Sequence, residues 1–193
     1  SAGLAQVDPS LLGEMAARSI GPAGMSGRIG AIDAVEADPT TIWVGTAAGG
    51  VWKSTNGATT WTPVFDEQTV SSIGAVAIFQ PSPDIVWVGT GEGAPRNSVG
   101  AGNGIYRTLD GGTTWKHLGL ESSERIARIV LDPKNPEIAY VAAMGPAWSE
   151  GTERGVFKTN DGGETWTRVL YVDERTGAAD LTMDPANPLK LFA

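Results

Sequence analysis

Thr159 to Trp166 reads TNDGGETW, Thr108 to Trp115 reads TLDGGTTW, and Ser54 to Trp61 reads STNGATTW. The tryptophans that end these three octets are 54 and then 51 residues apart. A period of about 40 to 50 residues is typical of propeller blades and other repeat architectures. Each octet therefore marks one copy of a repeated structural unit.

The sequence around each octet repeats as well. A short apolar run precedes each octet, namely IWVG at 42–45, IVWVG at 85–89 and IAYVA at 138–142, and a proline-containing turn precedes each run. Each unit therefore holds four β-type segments separated by turn residues, which is the pattern of a four-stranded propeller blade. We predict an all-β fold, a β-propeller of four-stranded antiparallel blades with about three and a half blades present.

The predicted blades are residues 28–64, 73–117 and 126–169, and a fourth begins at 178–193. The predicted strands are 28–35, 41–45, 50–54 and 60–64, then 73–79, 85–89, 104–108 and 114–117, then 126–131, 138–142, 155–159 and 165–169, and finally 178–183. Residues 1–27 form an N-terminal extension, in which Leu11 to Ile20 is compatible with a short amphipathic helix. Because a propeller closes on itself, we expect further blades of the same polypeptide, or other chains, to complete the ring.

Composition excludes several classes of function. The 193 residues carry a net charge of −8 with no basic run, so nucleic acid and anionic membrane surfaces are poor partners. No apolar run approaches the roughly 20 residues that span a bilayer, so no direct membrane insertion is expected. With no cysteine and only His117, thiolate and multi-histidine metal sites are impossible. We predict no cofactor and no metal, and expect neutral or basic partners.

The octet is predicted to be structural. A short side-chain oxygen after the leading hydroxyl residue accepts backbone N–H groups, glycine supplies positive φ, and the tryptophan enters the next strand and packs between blades. Copies lie too far apart around a ring to share one ion or substrate. The predicted structural residues are Ser54, Asn56, Trp61, Thr108, Asp110, Gly112, Trp115, Thr159, Asp161, Gly163 and Trp166.

The octets resemble the Asp-box, or BNR, repeat of sialidases, sortilin-type receptor ectodomains, two-propeller xyloglucan hydrolases and a photosystem II assembly factor. The second and third copies match its pattern S/T-x-D-x-G-x-T-W, whereas the first has Asn56 and Ala58 at the aspartate and glycine positions. The runs RSIGP, GGVWKSTNG, VGTGE and ERGVFKTNDGGETW are more similar to large bacterial secreted proteins with a sortilin-like N-terminal region, often labelled glycosyl hydrolase. This resemblance implies a longer, secreted, periplasmic or cell-surface protein, without implying a known reaction.

Blade topology predicts that the octets and proline turns share one rim, and that longer, variable loops occupy the opposite rim. Loops on a rigid scaffold commonly carry binding residues. This loop rim suits a protein, a peptide or a polysaccharide, although loops that are merely solvated remain an alternative. The candidate ligand residues are Glu92, Arg96, Asn97, Asn103, Trp148, Glu150, Glu153, Arg154, Asp173 and Arg175. Trp148 is either a packing residue or a platform for a sugar.

We therefore predict an exported binding or assembly scaffold and assign no catalytic residue. One alternative is a polysaccharide-acting glycoside hydrolase whose catalytic residues lie mostly outside these blades. The resemblance argues against catalysis here, because the hydrolases' first-blade aspartate corresponds to Ala47 and the sialidase arginine cluster is not evident. The stretch from Gly89 to Gly104 lacks the G-x-G-x-x-G spacing of nucleotide sites. A second alternative is an accessory subunit of a membrane-associated complex.

Overall fold

The computed structural model describes residues 28–94 and 97–193. The predicted N-terminal extension, its helix and Arg96 lie outside these residues. The described chain is all-β apart from one 3-10 turn, Glu121–Ser123, and none of its helical structure has the length and apolar character needed to cross a membrane.

The strands form three four-stranded antiparallel sheets and one two-stranded sheet, each in sequential order. Blade one contains β1 Ile29–Val35, β2 Asp38–Thr46, β3 Val51–Ser54 and β4 Thr62–Pro63; blade two contains β5 Ile73–Ile78, β6 Val86–Thr90, β7 Ile105–Thr108 and β8 Lys116–His117; blade three contains β9 Ile126–Leu131, β10 Ala139–Ala143, β11 Gly155–Thr159 and β12 Thr167–Leu170; the last sheet contains β13 Thr182–Asp184 and β14 Asn187–Phe192. This architecture confirms the predicted partial β-propeller.

Apolar side chains fill the space between successive sheets. Trp43, Val88 and Tyr106 are buried between blades one and two, and Trp87 and Ile126 are buried between blades two and three. The middle strands β6 and β10 are buried along their whole length because both of their faces pack on neighbours. Strands of this kind favour β-branched and aromatic residues, which explains the apolar runs of the sequence.

The small residue that ends each apolar run lets the next blade approach closely. A Cβ atom added to Gly45 would lie 2.5 Å from the side chain of Ile73, and one added to Gly89 would lie 2.4 Å from that of Ile126. In the third repeat this residue is Ala142, which packs in one cluster with Ala178, the counterpart of those isoleucines. In the third repeat, alanine in place of glycine at the end of the run is therefore matched by alanine in place of isoleucine on the next sheet.

The structure departs from the predicted strand bounds at the fourth strands and in the last sheet. The fourth strand of blade two begins at Lys116 instead of Thr114, because the Thr114 N–H donates to the side chain of Asp110 and not to a neighbouring strand. The first strand of the last sheet begins at Thr182 instead of Ala178, because the Ala178 N–H bonds to Ala143 O in blade three.

Hydrogen bonds place the turns on two rims. Gly111 N donates to Asp84 O at 3.0 Å and Gly162 N donates to Glu137 O at 2.9 Å, so octets and proline turns lie side by side. At the other end of the blades, Gly91 N donates to Ser72 O at 2.7 Å and joins the longer loops to the blade connections. We call these ends the octet rim and the loop rim.

Candidate functional site

The octet aspartates are saturated with internal hydrogen bonds. Asp161 Oδ1 accepts the Thr159 hydroxyl at 2.7 Å and Thr165 N at 2.9 Å, and Oδ2 accepts the Thr165 hydroxyl at 2.5 Å. Asp110 has the same partners in its own octet. The threonine hydroxyl at the far end of each octet is the main cause that lowers the pKa of Asp110 and Asp161 to about 2. These carboxylates are occupied in closing the hairpin.

The first octet keeps this geometry with different residues. Asn56 Oδ1 accepts Thr60 N at 2.9 Å, and the Asn56 amide donates to the Thr60 hydroxyl at 2.9 Å. Ser54 Oγ accepts Ala58 N at 3.0 Å, as the leading threonine does in the other copies. Ala58 has a φ of 66°, in the left-handed region that favours glycine. The hydrogen bonds of this turn thus hold an alanine in a backbone conformation that usually requires glycine.

The octet tryptophans of blades two and three each reach back to the preceding blade. Trp115 Nε1 donates to Val64 O at 2.6 Å, and its ring meets Trp43 edge-on at 6.3 Å between centroids. Trp166 Nε1 donates in the same way to Leu118 O at 2.7 Å. The octet therefore joins blades as well as closing a hairpin.

A cation on the third strand of blades one and two reaches forward to the next octet. Lys53 Nζ donates to Gly111 O at 3.0 Å while it lies over the ring of Trp43. Arg107 donates to Gly162 O at 3.3 Å over the ring of Trp87. The octet rim is therefore a structural surface, in which tryptophans bond to the preceding blade and cations bond to the next octet.

A cavity of about 730 Å³ opens at the octet rim beside the first strands of the blades. Its polar lining includes Asp33, Glu36, Gln80 and Arg128. Burial raises the pKa of Asp33, whose Oδ2 accepts Ile78 N at 2.8 Å. Asp33 thus ties blade one to blade two, so this cavity contains a structural carboxylate that sequence analysis did not single out.

At the loop rim, two candidate residues of blade two, Glu92 and Asn103, are engaged in contacts within the propeller. Glu92 is 3% exposed and forms an ion pair with Arg28 at 2.8 Å. Asn103 Nδ2 donates to the Tyr106 hydroxyl at 2.8 Å, and Asn103 O contacts His117 Nε2 at 2.6 Å. Asn97 is exposed, and it does not line either of the two cavities that the candidates of blade three share.

The candidates of blade three converge on one cavity of about 650 Å³ between β10, β11 and the chain that follows β12. Trp148, Glu150 and Arg154 line it together with Arg175. Trp148 is 75% exposed, so it is not a packing residue. Glu150 Oε1 pairs with Arg175 at 2.6 Å, and Asp173 lines an adjoining cavity of about 470 Å³ with both of them.

The wall of this cavity contains two buried arginines, and sequence analysis identified only Arg154. Arg154 and Arg125 are 6% and 7% exposed, respectively. Arg125 lies in the connection just before β9, 29 positions from Arg154, and only the fold shows that the two are neighbours. Burial, followed by the charge of Arg154, lowers the pKa of Arg125.

The described residues contain no candidate metal centre. Among them, no group of three or more histidines and carboxylates is placed to hold a metal ion. Ala47 is buried, so the position that the family resemblance associates with a catalytic aspartate carries an enclosed methyl group. Glu153 has a buried Oε2 without a hydrogen-bond partner and does not line the cavity.

No known family model matches the chain, and no curated protein matches it. Among solved structures, an ancestral GH74 enzyme superposes with a TM-score of 0.64 at 21% identity, covering 82% of this chain and 21% of that one. YCF48 bound to D1 peptide gives 0.55 at 16% identity, covering 84% and 46%. YCF48 from Cyanidioschyzon merolae gives 0.52 at 19% identity, covering 77% and 41%. The chain therefore shares the β-propeller fold and spans less than half the length of each of these proteins.

Proposed function

We propose that this chain is part of a scaffold propeller that binds a peptide or an extended protein segment through its loop rim. The observation that carries the proposal is Trp148, a large aromatic side chain that is 75% exposed beside a polar cavity. An exposed tryptophan costs solubility when it has no partner, and tryptophan is enriched at the centre of binding interfaces.

Two further observations support a peptide as the ligand. The cavity of about 650 Å³ is lined by backbone and by charged side chains, Glu150 and Arg175 among them, which suits the alternating polar and apolar groups of a peptide. One solved propeller with the same fold is a complex, YCF48 bound to D1 peptide. The likeness to that protein concerns the fold, and it makes a peptide the first ligand class to test.

The experiment is a peptide-array screen with the purified chain and two variants. Trp148→Ala removes the exposed ring on the loop rim, whereas Leu109→Ala removes an apolar side chain that is 62% exposed on the octet rim. We expect Trp148→Ala to lose binding by about tenfold or more and Leu109→Ala to bind like the parent, since aromatic hot spots contribute at least ~1.4 kcal/mol. Equal binding by both variants, or binding of polysaccharides and no peptide, would contradict the proposal.

We also propose that the octets are Asp-boxes of an exported, sortilin-like propeller that further blades complete. The pattern T-x-D-G-G-x-T-W in the second and third octets supports the repeat assignment. Apolar side chains exposed on the two outermost sheets support further blades: Ile32 in blade one is 65% exposed, and Leu189 in the last sheet is 88% exposed. Small-angle X-ray scattering on the protein as the organism makes it would distinguish a closed ring from an open arc.

A further inference from the structure

We propose that Arg125 and Arg154 form a carboxylate-binding site in the wall of the Trp148 cavity, and that the ligand of the loop rim is a peptide that presents a carboxylate group there. The inference rests on the proposed function and specifies the ligand class of the same surface.

Among the residues that the structure describes, backbone carbonyls hold both guanidinium groups. Arg125 Nε donates to Gly145 O at 2.9 Å and its Nη2 donates to Pro146 O at 3.3 Å. Arg154 Nη2 donates to Pro146 O at 2.7 Å and to Ser149 O at 2.8 Å, and its Nη1 donates to Met144 O. The carbonyls of the β10–β11 loop therefore fix both side chains in place.

These carbonyls leave much of the hydrogen-bonding capacity of the pair unused. A guanidinium has five N–H donors, so about half of the donors of the pair have no acceptor among these contacts. Arg154 Nε is buried without a hydrogen-bond partner. Within residues 28–94 and 97–193, neither Arg125 nor Arg154 forms an ion pair with a carboxylate.

Two like charges in one wall are costly without an anion. The charge of Arg154 and burial both disfavour the protonated form of Arg125, and Glu124 is the carboxylate that opposes them. Glu150, which also lines the cavity, is occupied by Arg175. The carbonyls and Glu124 therefore compensate the two buried charges only in part, and a bound anion would lower the remaining cost.

A carboxylate is the anion that this wall fits best. The planar fork of a guanidinium matches the two oxygens of a carboxylate, and two forks side by side bind it in a fixed orientation. Glu150 and the overall charge of −8 oppose a dianion such as a phosphate more strongly than a monoanion. The proposed ligand thus differs from the neutral or basic partners that the net charge predicts, because the local charge of this wall is positive.

The test uses three short peptides titrated into the chain and followed by calorimetry. Acetyl-Gly-Phe-Gly is used with a free C-terminal carboxylate, as its C-terminal amide, and as an amide in which aspartate replaces the first glycine. We expect both carboxylate-bearing peptides to bind at least about tenfold more tightly than the neutral amide, because hydrogen bonds to charged groups are the strong ones. A difference in affinity between the two acidic peptides would show whether the site prefers a carboxylate from a chain terminus or from a side chain.

Variants connect the binding to the named residues. Arg125→Gln should reduce binding of the acidic peptides by about tenfold and leave the weak binding of the amide unchanged. Arg128→Gln is the matched control, since Arg128 lines the other cavity and pairs with Asp180 at 2.9 Å. Arg125→Lys keeps the charge without the fork, so its binding should lie between those of the parent and the glutamine variant. Trp148→Ala tests the same cavity without altering the loop carbonyls.

The outcomes separate this inference from the proposed function. Equal binding of acid and amide peptides would overturn the carboxylate site and leave peptide binding intact. Binding of galacturonate or methyl phosphate, with no peptide bound, would overturn both. Loss of acid-peptide binding in Arg128→Gln as well as in Arg125→Gln would overturn the assignment to this cavity.

Discussion

Truncation of one octet tryptophan should reveal how strongly each octet stabilises the blade before it. Trp166→Ala removes a partly buried indole, its hydrogen bond to Leu118 O at 2.7 Å, and an edge-on ring contact with Trp87 at 6.3 Å. Burial of about two thirds of an indole surface of roughly 200 Å² contributes ~3 kcal/mol, the hydrogen bond ~1 kcal/mol and the ring pair ~1 kcal/mol. We expect a total loss of about 5 kcal/mol in the free energy of unfolding.

Trp61→Ala is the matched control within the same chain. Trp61 occupies the same octet position and is also partly buried, but within the described residues its indole nitrogen has no hydrogen bond and its ring has no aromatic partner. Its truncation should cost only the burial contribution, so the two variants should differ by about 2 kcal/mol.

Urea unfolding followed by far-ultraviolet circular dichroism measures both variants without relying on tryptophan fluorescence, which the substitutions change. Trp166→Phe should fall between Trp166→Ala and the parent, because it keeps a ring and loses the N–H donor. If Trp166→Ala and Trp61→Ala destabilised the chain equally, the backward contacts would contribute nothing measurable and the account of the octet as a link between blades would be wrong.

Three further predictions concern the octets. Gly163→Ala should destabilise the chain by ~1–3 kcal/mol in urea unfolding, since glycine there has a φ of 94° and an added Cβ would lie 2.7 Å from Leu118 Cδ1; an unchanged midpoint would contradict this. Asp161→Asn should melt closer to the parent than Asp161→Ala does, because Asn56 shows that an amide makes the same backbone bond; thermal melts that rank the variants in the opposite order would refute it. The folded pKa values of Asp110 and Asp161 are about 2, below the ordinary 3.8, so their contribution is complete above pH 4 and lost as pH falls towards 2; unfolding midpoints measured across that interval should decline, and Asp161→Asn should decline less.

The octet turns could be predicted from sequence because their chemistry is local. The hydroxyl of Thr159, the carboxylate of Asp161 and the N–H of Thr165 lie within seven consecutive residues, so the pattern and the hydrogen bonds have the same short range. The strand ends were less predictable, because an N–H group that bonds within the octet is not available to a neighbouring strand. Thr114 looks like a strand residue, but its backbone N–H is used by the octet itself.

The loop rim depends on contacts between residues distant in sequence. Glu92 was a candidate for ligand contact, yet it is buried against Arg28, 64 positions earlier. Arg125 was not singled out, because nothing in its neighbourhood predicts that it will lie next to Arg154. For Trp148, residue type and loop position left packing and exposure open, and only the structure shows that it is exposed. Sequence thus predicted the propeller fold, whereas the arrangement of charges at the loop rim required the structure.

Because the octet tryptophans of blades two and three pack on the preceding blade, the repeat in the sequence and the packed unit in the fold have different boundaries. Trp115 is encoded with blade two but completes the packing of blade one, where it caps Val64 O. A recombination event that exchanged a whole blade would therefore place its octet tryptophan against a preceding blade of different sequence. Exchange of one blade together with the octet tryptophan of the following blade should therefore yield working chimaeras more often than exchange of the blade alone.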